Sequence, residues 1–321
     1  IFAVMNFWRI IAWMVLIFLV GTAFYLFPAE TISLDSPLTR GWLDLDTDTV
    51  YGHMLLAGLG AVSIVSLVVS VYYTSMRHFM HSSDSGNLLI IFLLLLFSNP
   101  SAIFFSPVCL SAICLIWAQE VLLAEKKFLG SMLISLSSLF YAPLVWLIPL
   151  SFLFLIFVST DFLKNLIIVL SGLLLPLLYI GVFRFLLFDD ATYYIEDFYN
   201  IATNISLSLR SVEFPQLFEI ICFVIIALVT VSYLLKVLNR LKISLRDAIK
   251  SRILFLLALS AIFFLFSSAT SQPLVVLIAA PLAFLYSYRF ANLENTGRKS
   301  RYIEVVLILS ALVITRLSYF V

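Results

Sequence analysis

Apolar residues in this chain come in long blocks, with polar residues gathered between them rather than interleaved. Eleven apolar segments follow one another, at about 7–27, 51–74, 87–98, 107–124, 128–141, 143–158, 165–187, 217–235, 253–267, 274–289 and 302–318. Unbroken apolar runs of this length predict helices that face lipid or lie buried on every side. A full membrane crossing takes about 20 residues, within a range of roughly 17–25. Segments 87–98, 128–141 and 143–158 fall short of that, which predicts half-spanning or re-entrant helices. Prolines 100, 107, 143, 149, 176, 273 and 281 lie in or beside the runs. Each removes a backbone donor, so kinked or broken helices are expected.

Composition turns this pattern into a class. The chain has 321 residues, 63% of them hydrophobic and 12% charged, with 30 Phe. A soluble domain averages about 45–50% apolar and about 25% charged residues. A single soluble core could not hide this much apolar surface, so lipid is the expected solvent. The fold class read here is all-α: a polytopic transmembrane helical bundle of about 10–11 membrane segments, some short or re-entrant. Residues 1–321 form one integral membrane domain, because no polar stretch exceeds about 30 residues, too few for a separate domain. The net charge of +1 supplies no global basic field for nucleic acid. Cys109, Cys114 and Cys222 sit inside apolar runs without metal-ligand spacing and read as packing residues. The first run is too long for the core of a cleaved signal peptide and is expected to be a retained span.

Basic residues then set the orientation. Cytoplasmic loops carry the excess of Lys and Arg. With a cytoplasmic N-terminus and every segment crossing, fifteen of the 19 cations fall inside, leaving Arg40, Arg184, Arg210 and Arg316 outside. Fusing 128–158 into one span would invert everything after it. A helical hairpin turning near Ala142-Pro143 is therefore expected. Segment 236–252, KVLNRLKISLRDAIKSR, falls inside. Its apolar residues recur at helical spacing between cations, which predicts an amphipathic helix lying on anionic headgroups.

The same topology places two acidic loops together on the outer face. Loop 28–50 carries Glu30, Asp35, Asp44, Asp46 and Asp48 against Arg40, and loop 188–216 carries Asp189, Asp190, Glu196, Asp197 and Glu213 against Arg210. Asp44, Asp46 and Asp48 alternate, so an extended chain would present all three on one face. Three hard oxygen ligands suit Mg or Mn, while a solvated acidic loop explains the same residues. A calcium hand fails, because Val50 stands where glycine is needed. Asp35, close to the end of the first span, reads either as a desolvated general base or as a helix cap ahead of Pro37. Tyr193, Tyr194, Glu196 and Asp197 combine aromatic faces with carboxylates, as sugar rings require. An interfacial aromatic belt would have the same composition. His53 closes the first loop and is the one outer histidine.

His78, His81 and Asp84 have a spacing that could bind zinc, yet they fall inside beside Arg77 and read more simply as polar flanks. Span centres hold almost no ionisable residue, since Glu120, Arg184, Glu219 and Glu304 lie near segment ends. Ion-coupled transporters usually place charge at the midplane, so this lowers a transporter reading. No phosphate-binding or serine-hydrolase motif is present.

Residues 93–128, LLLLFSNPSAIFFSPVCLSAICLIWAQEVLLAEKKF, lead into SMLISLSSLFYAPLVWLIPL (131–150) and NLIIVLSGLLLPLLY (165–179). In that order of apolar run, Pro-rich turn, KK-ended span and Ser-rich segment, the chain resembles an uncharacterised family of polytopic inner-membrane proteins from Bacteroidetes. The likeness covers most of the first 190 residues and implies a bacterial inner-membrane location. The plan of one span, a long acidic outer loop, short paired helices and a second outer loop resembles GT-C-type glycosyltransferases acting on polyprenyl-linked sugars. That resemblance puts Asp35, Asp44 and Asp46 in the loop that holds the family's base and metal. Arg40 or Arg210 would then neutralise a polyprenyl phosphate, with His53, Tyr193, Tyr194, Glu196 and Asp197 lining the substrate site. The chain departs from the family in lacking an Asp-Glu pair directly after the first span. A non-catalytic membrane subunit with membrane-protein partners and a lipid or polymer transporter are the competing expectations.

Overall fold

The structure is a computed structural model that describes residues 14–20, 50–78, 82–97, 106–149, 162–188, 214–265 and 267–292, with single helical positions at 196 and between 304 and 317. Helix α1 covers 14–20. It is followed by α2 (Val50–His78), α3 (Ser82–Leu96), α4 (Pro107–Leu123) and α5 (Lys127–Phe140). Then come α6 (Phe162–Phe188), α7 (Phe214–Val237), α8 (Ile243–Leu265) and α9 (Ser267–Asn292). Among the described residues there is no strand. Three segments are long and apolar enough to cross a membrane: Gly58–Arg77 in α2, Leu163–Phe183 in α6, and Ile221–Arg240 beginning in α7.

Helices α3 and α9 form the centre. From Val276 to Phe290, every residue of α9 is buried except the half-buried Ile278, and from Leu88 to Phe97 only Leu89 and Leu93 are half-buried. Apolar residues on all faces suit such a position and leave no polar side to turn outward. Around this centre, α2, α6 and α7 keep apolar faces uncovered. Val62, Val65 and Val69 on α2, Leu174 and Leu178 on α6, and Ile225 and Leu228 on α7 are all exposed. Such faces match a lipid environment.

Local chemistry sets the short helices. Ser106 caps α4, its hydroxyl accepting from the Val108 N–H at 3.3 Å, and Pro107 takes the first turn, where no donor is needed. Ala124 to Lys126 turn the chain into α5, with Glu125 in the left-handed region at φ 60°. The buried serines of α5 satisfy their own hydroxyls. Ser131, Ser137 and Ser138 donate to carbonyls three residues back, whereas Ser135 donates across to the Leu173 carbonyl of α6 at 2.7 Å. Gly172 permits that approach, because a β-carbon there would lie 2.5 Å from the Phe128 carbonyl oxygen. Small residues bringing two backbones together are how helices associate where lipid removes the hydrophobic drive. Helix α5 stops at Phe140, Tyr141 is extended, and Ala142–Trp146 form a 3₁₀ turn with Pro143 in its first positions. The helix therefore breaks near Ala142-Pro143, while most of the second arm of the expected hairpin lies outside the described residues.

The 236–252 segment is corrected. It is not one amphipathic helix. Helix α7 ends at Val237, Leu238–Arg240 form a 3₁₀ turn, and Leu241 is extended. Residues from Ile243 onward then run unbroken into the next apolar segment as α8. Lys242 and Lys250 are exposed, but Ala248, Ile249, Ser251 and Arg252 are buried. Continuity with an apolar partner outweighed the local charge pattern, drawing half of this stretch into the bundle.

Candidate functional site

Most residues proposed for chemistry lie outside the described residues: Asp35, Arg40, Asp44, Asp46, Asp48, Tyr193, Tyr194, Asp197 and Arg210. His81 lies outside them too. His53 belongs to the first turn of α2, its side chain outside the described part, and Glu196 is an exposed helical position. Among the described residues, no three of His, Cys, Asp and Glu are grouped so as to hold a metal ion. Cys109 and Cys222 are buried, Cys114 is half-buried, and all three are free thiols.

What the helices do bring together is a pair of buried ionic clusters. Arg252 on α8 reaches Glu120 on α4 at 2.6 Å, and both side chains are almost wholly buried. Its second terminal nitrogen donates to the Ala248 carbonyl at 3.4 Å, and its guanidinium carbon lies 3.7 Å from the centroid of the Phe284 ring on α9. Burying two charges is costly, and only close pairing and further hydrogen bonds offset the cost. The aromatic face adds a cation–π contact strengthened by the absence of water. Beside this pair, a small, partly open cavity of about 20 Å³ is lined by Thr74, Gln119 and Arg252 together with Leu88, Ile116 and Phe284.

The second cluster joins α7, α9 and the chain near residue 304. Arg289 donates to Glu304 at 2.6 Å and to the Thr230 hydroxyl at 3.4 Å, and the Tyr286 hydroxyl donates to Glu304 at 3.4 Å. Glu304 is the less buried partner. Next to it, a small, partly open apolar cavity of about 30 Å³ lies between α3, α7 and α9, lined also by Ile308 and Leu309.

These contacts bury charge around Glu120 and Glu304, which the sequence had placed near segment ends. Arg252 and Arg289 were assigned to inner loops, but both are core residues. One signal was legible: Gln119 and Glu120 interrupt an otherwise apolar run, and a buried acid needs a cation. Nothing in the sequence named Arg252 over its neighbours as that cation.

Contacts also order the helix ends. Trp117 donates to Ser70 at 3.1 Å and its ring lies 5.6 Å from Tyr73, while Arg77 sits over Tyr73 at 5.3 Å. The last turns of α2 and α4 are therefore neighbours. The Arg252–Glu120 pair adds the first half of α8, and its Phe284 contact and Arg289–Thr230 add the second halves of α9 and α7. Arg77, Lys126, Lys127, Lys236, Arg240 and Lys242 belong to these same helix ends, and Lys250 lies two turns into α8. No protein-family model, curated protein or solved structure matches the chain.

Proposed function

We propose that the chain is a multi-pass protein of a bacterial inner membrane, N-terminus in the cytoplasm, working as a transferase at the outer leaflet on a polyprenyl-linked sugar or a related lipid. A carboxylate of loop 28–50 (Asp35, Asp44 or Asp46) deprotonates the acceptor hydroxyl, while Arg40 or Arg210, or a Mg or Mn ion on Asp44, Asp46 and Asp48, neutralises the phosphate. One observation supports this reading. The basic helix ends gather at one end of the bundle, and both acidic segments join helices at their other ends. Loop 28–50 leads directly into the first residue of α2, 29 residues and thus about 43 Å from its basic end. Segment 188–213 leads into the first residue of α7, whose Thr230 meets Arg289 near its opposite end.

The test has two parts. Cysteine placed at residue 46 in a cysteine-free chain should react with an impermeant reagent added outside intact cells. Labelling in inverted vesicles instead would end the proposal. Replacing Asp35, Asp44, Asp46 and Asp48 together by Asn should abolish function in vivo at unchanged protein level. Retained function would favour a non-catalytic subunit of an envelope assembly.

A further inference from the structure

Helix α6 is held at one place. Among its described positions, the buried ones are Val169, Gly172, Leu173 and Pro176, which span about two turns. Gly172 lies directly on α5, where a β-carbon would run into the Phe128 carbonyl and the Ser131 hydroxyl. Next to it, the Leu173 carbonyl accepts from Ser135 of α5 at 2.7 Å. Close backbone approach and a hydrogen bond together fix this stretch on its neighbour.

Past Pro176 the helix opens out. Leu178, Tyr179, Val182, Phe185 and Leu186 are between 55% and 76% exposed. A β-carbon on Gly181 would meet nothing within 4 Å. The tilt of a membrane helix is set by packing against its neighbours, and little of that packing reaches this half. Pro176 stands at the boundary between the two halves. It has no N–H for the carbonyl four residues back, and its ring pushes against that carbonyl. The carbonyl is that of Gly172, inside the fixed stretch. The backbone ladder therefore loses a bond where the packing ends.

We propose that α6 is a two-part helix, with residues 169–176 as a base fixed on α5 and residues 177–188 as an arm that pivots about Gly172 and Pro176. The arm extends about 18 Å, so a bend of about 20° at its base moves the tip by about 6 Å. The chain after Phe188 starts from that tip, so the pivot sets where the segment joining α6 to α7 begins. The device does not depend on any chemistry assigned to that segment, and it stands or falls separately from the transferase reading.

The full chain, with Cys109, Cys114 and Cys222 replaced by alanine, is placed in lipid nanodiscs with two spin labels. One label replaces Leu129 on α5, and the other replaces either Leu170 in the base or Leu186 in the arm, all three being exposed positions. Pulsed spin-resonance distances then report each half of α6 against α5. The distribution from 129 to 186 should be broader than that from 129 to 170 by a few ångström. Pro176→Ala restores the missing donor and should narrow the first distribution while leaving the second unchanged. Helix content and the unfolding midpoint serve as folding controls, and Pro176→Leu, which carries the same expectation, replaces the alanine variant if that one misfolds. Equal widths for the two pairs in the chain that keeps Pro176, or a distribution from 129 to 186 that stays as broad in a folded Pro176 variant, would each overturn the proposal.

Discussion

Glu120 and Arg252, 132 positions apart, meet at 2.6 Å with only 3–4% of either side chain exposed. Removing one charge leaves the other buried and unpaired, which costs about 3–5 kcal/mol. Glu120→Leu or Arg252→Met should each destabilise the protein by that order. Glu120→Leu with Arg252→Met replaces both charges by apolar groups and should recover most of the loss. Detergent-unfolding midpoints of the four proteins in this double-mutant cycle measure the coupling. Additive losses would show that the two groups do not act as a pair.

The second pair should behave more mildly. Glu304 is partly open, with 18% of its side chain exposed against 3% for Glu120. Solvent screens part of its interaction, so Glu304→Gln should cost less than Glu120→Gln. It should also loosen the chain near residue 304 selectively, because Arg289 and Tyr286 both hold that carboxylate. Limited proteolysis of the two variants checks both points. Cleavage near residue 304 should rise in Glu304→Gln and remain at the wild-type level in Glu120→Gln.

Glycines separate close packing from open helix surface. A β-carbon at Gly172 would run into the Ser131 hydroxyl and the Phe128 carbonyl, so Gly172→Ala forces α5 and α6 apart. Overpacking of this kind costs about 1–3 kcal/mol. Gly181, further along the same helix, has nothing within 4 Å of that position. Gly181→Ala should stabilise by about 0.5–1 kcal/mol through helix propensity alone. Opposite signs in the two unfolding midpoints are the expected result, and equal effects would contradict the close approach.

How much of this was legible beforehand follows from what each feature depends on. Helix existence depends on runs of apolar residues, which the sequence displays, so α2, α4, α5 and α6 match the expected segments within a few residues. The break at Ala142-Pro143 depends on proline's missing donor, also a local property. The fate of 236–252 depended on what α8 packs against. Local periodicity placed Arg252 on a headgroup surface, but Glu120 and Phe284 pull it into the core. Long-range pairing is invisible in a single chain, where a buried cation and an interfacial one look alike. The carboxylates of loop 28–50 and the aromatic residues of 193–194 lie outside the described residues, so the chemical half of the expectation rests on the chain's charge pattern and helix directions.

The uncovered face of α6 provides the sharpest test of the lipid environment itself. Leu178 is 63% exposed, whereas Leu173, on the same helix, is 3% exposed. In water, an exposed leucine can become arginine within about 0.5 kcal/mol, because nothing packs against it. In a bilayer the same change meets hydrocarbon and costs about 2.5–3.5 kcal/mol near the helix centre. Leu178 lies between the middle of α6 and its last turns, where snorkelling recovers part of that cost. Leu178→Arg should therefore reduce membrane insertion of the helix by more than tenfold, while Leu178→Phe should leave it unchanged. A glycosylation-mapping assay on the isolated helix and carbonate extraction of the full chain read the two effects. Indifference of both assays to the arginine would mean that this face does not meet lipid, and a protein partner would have to cover it.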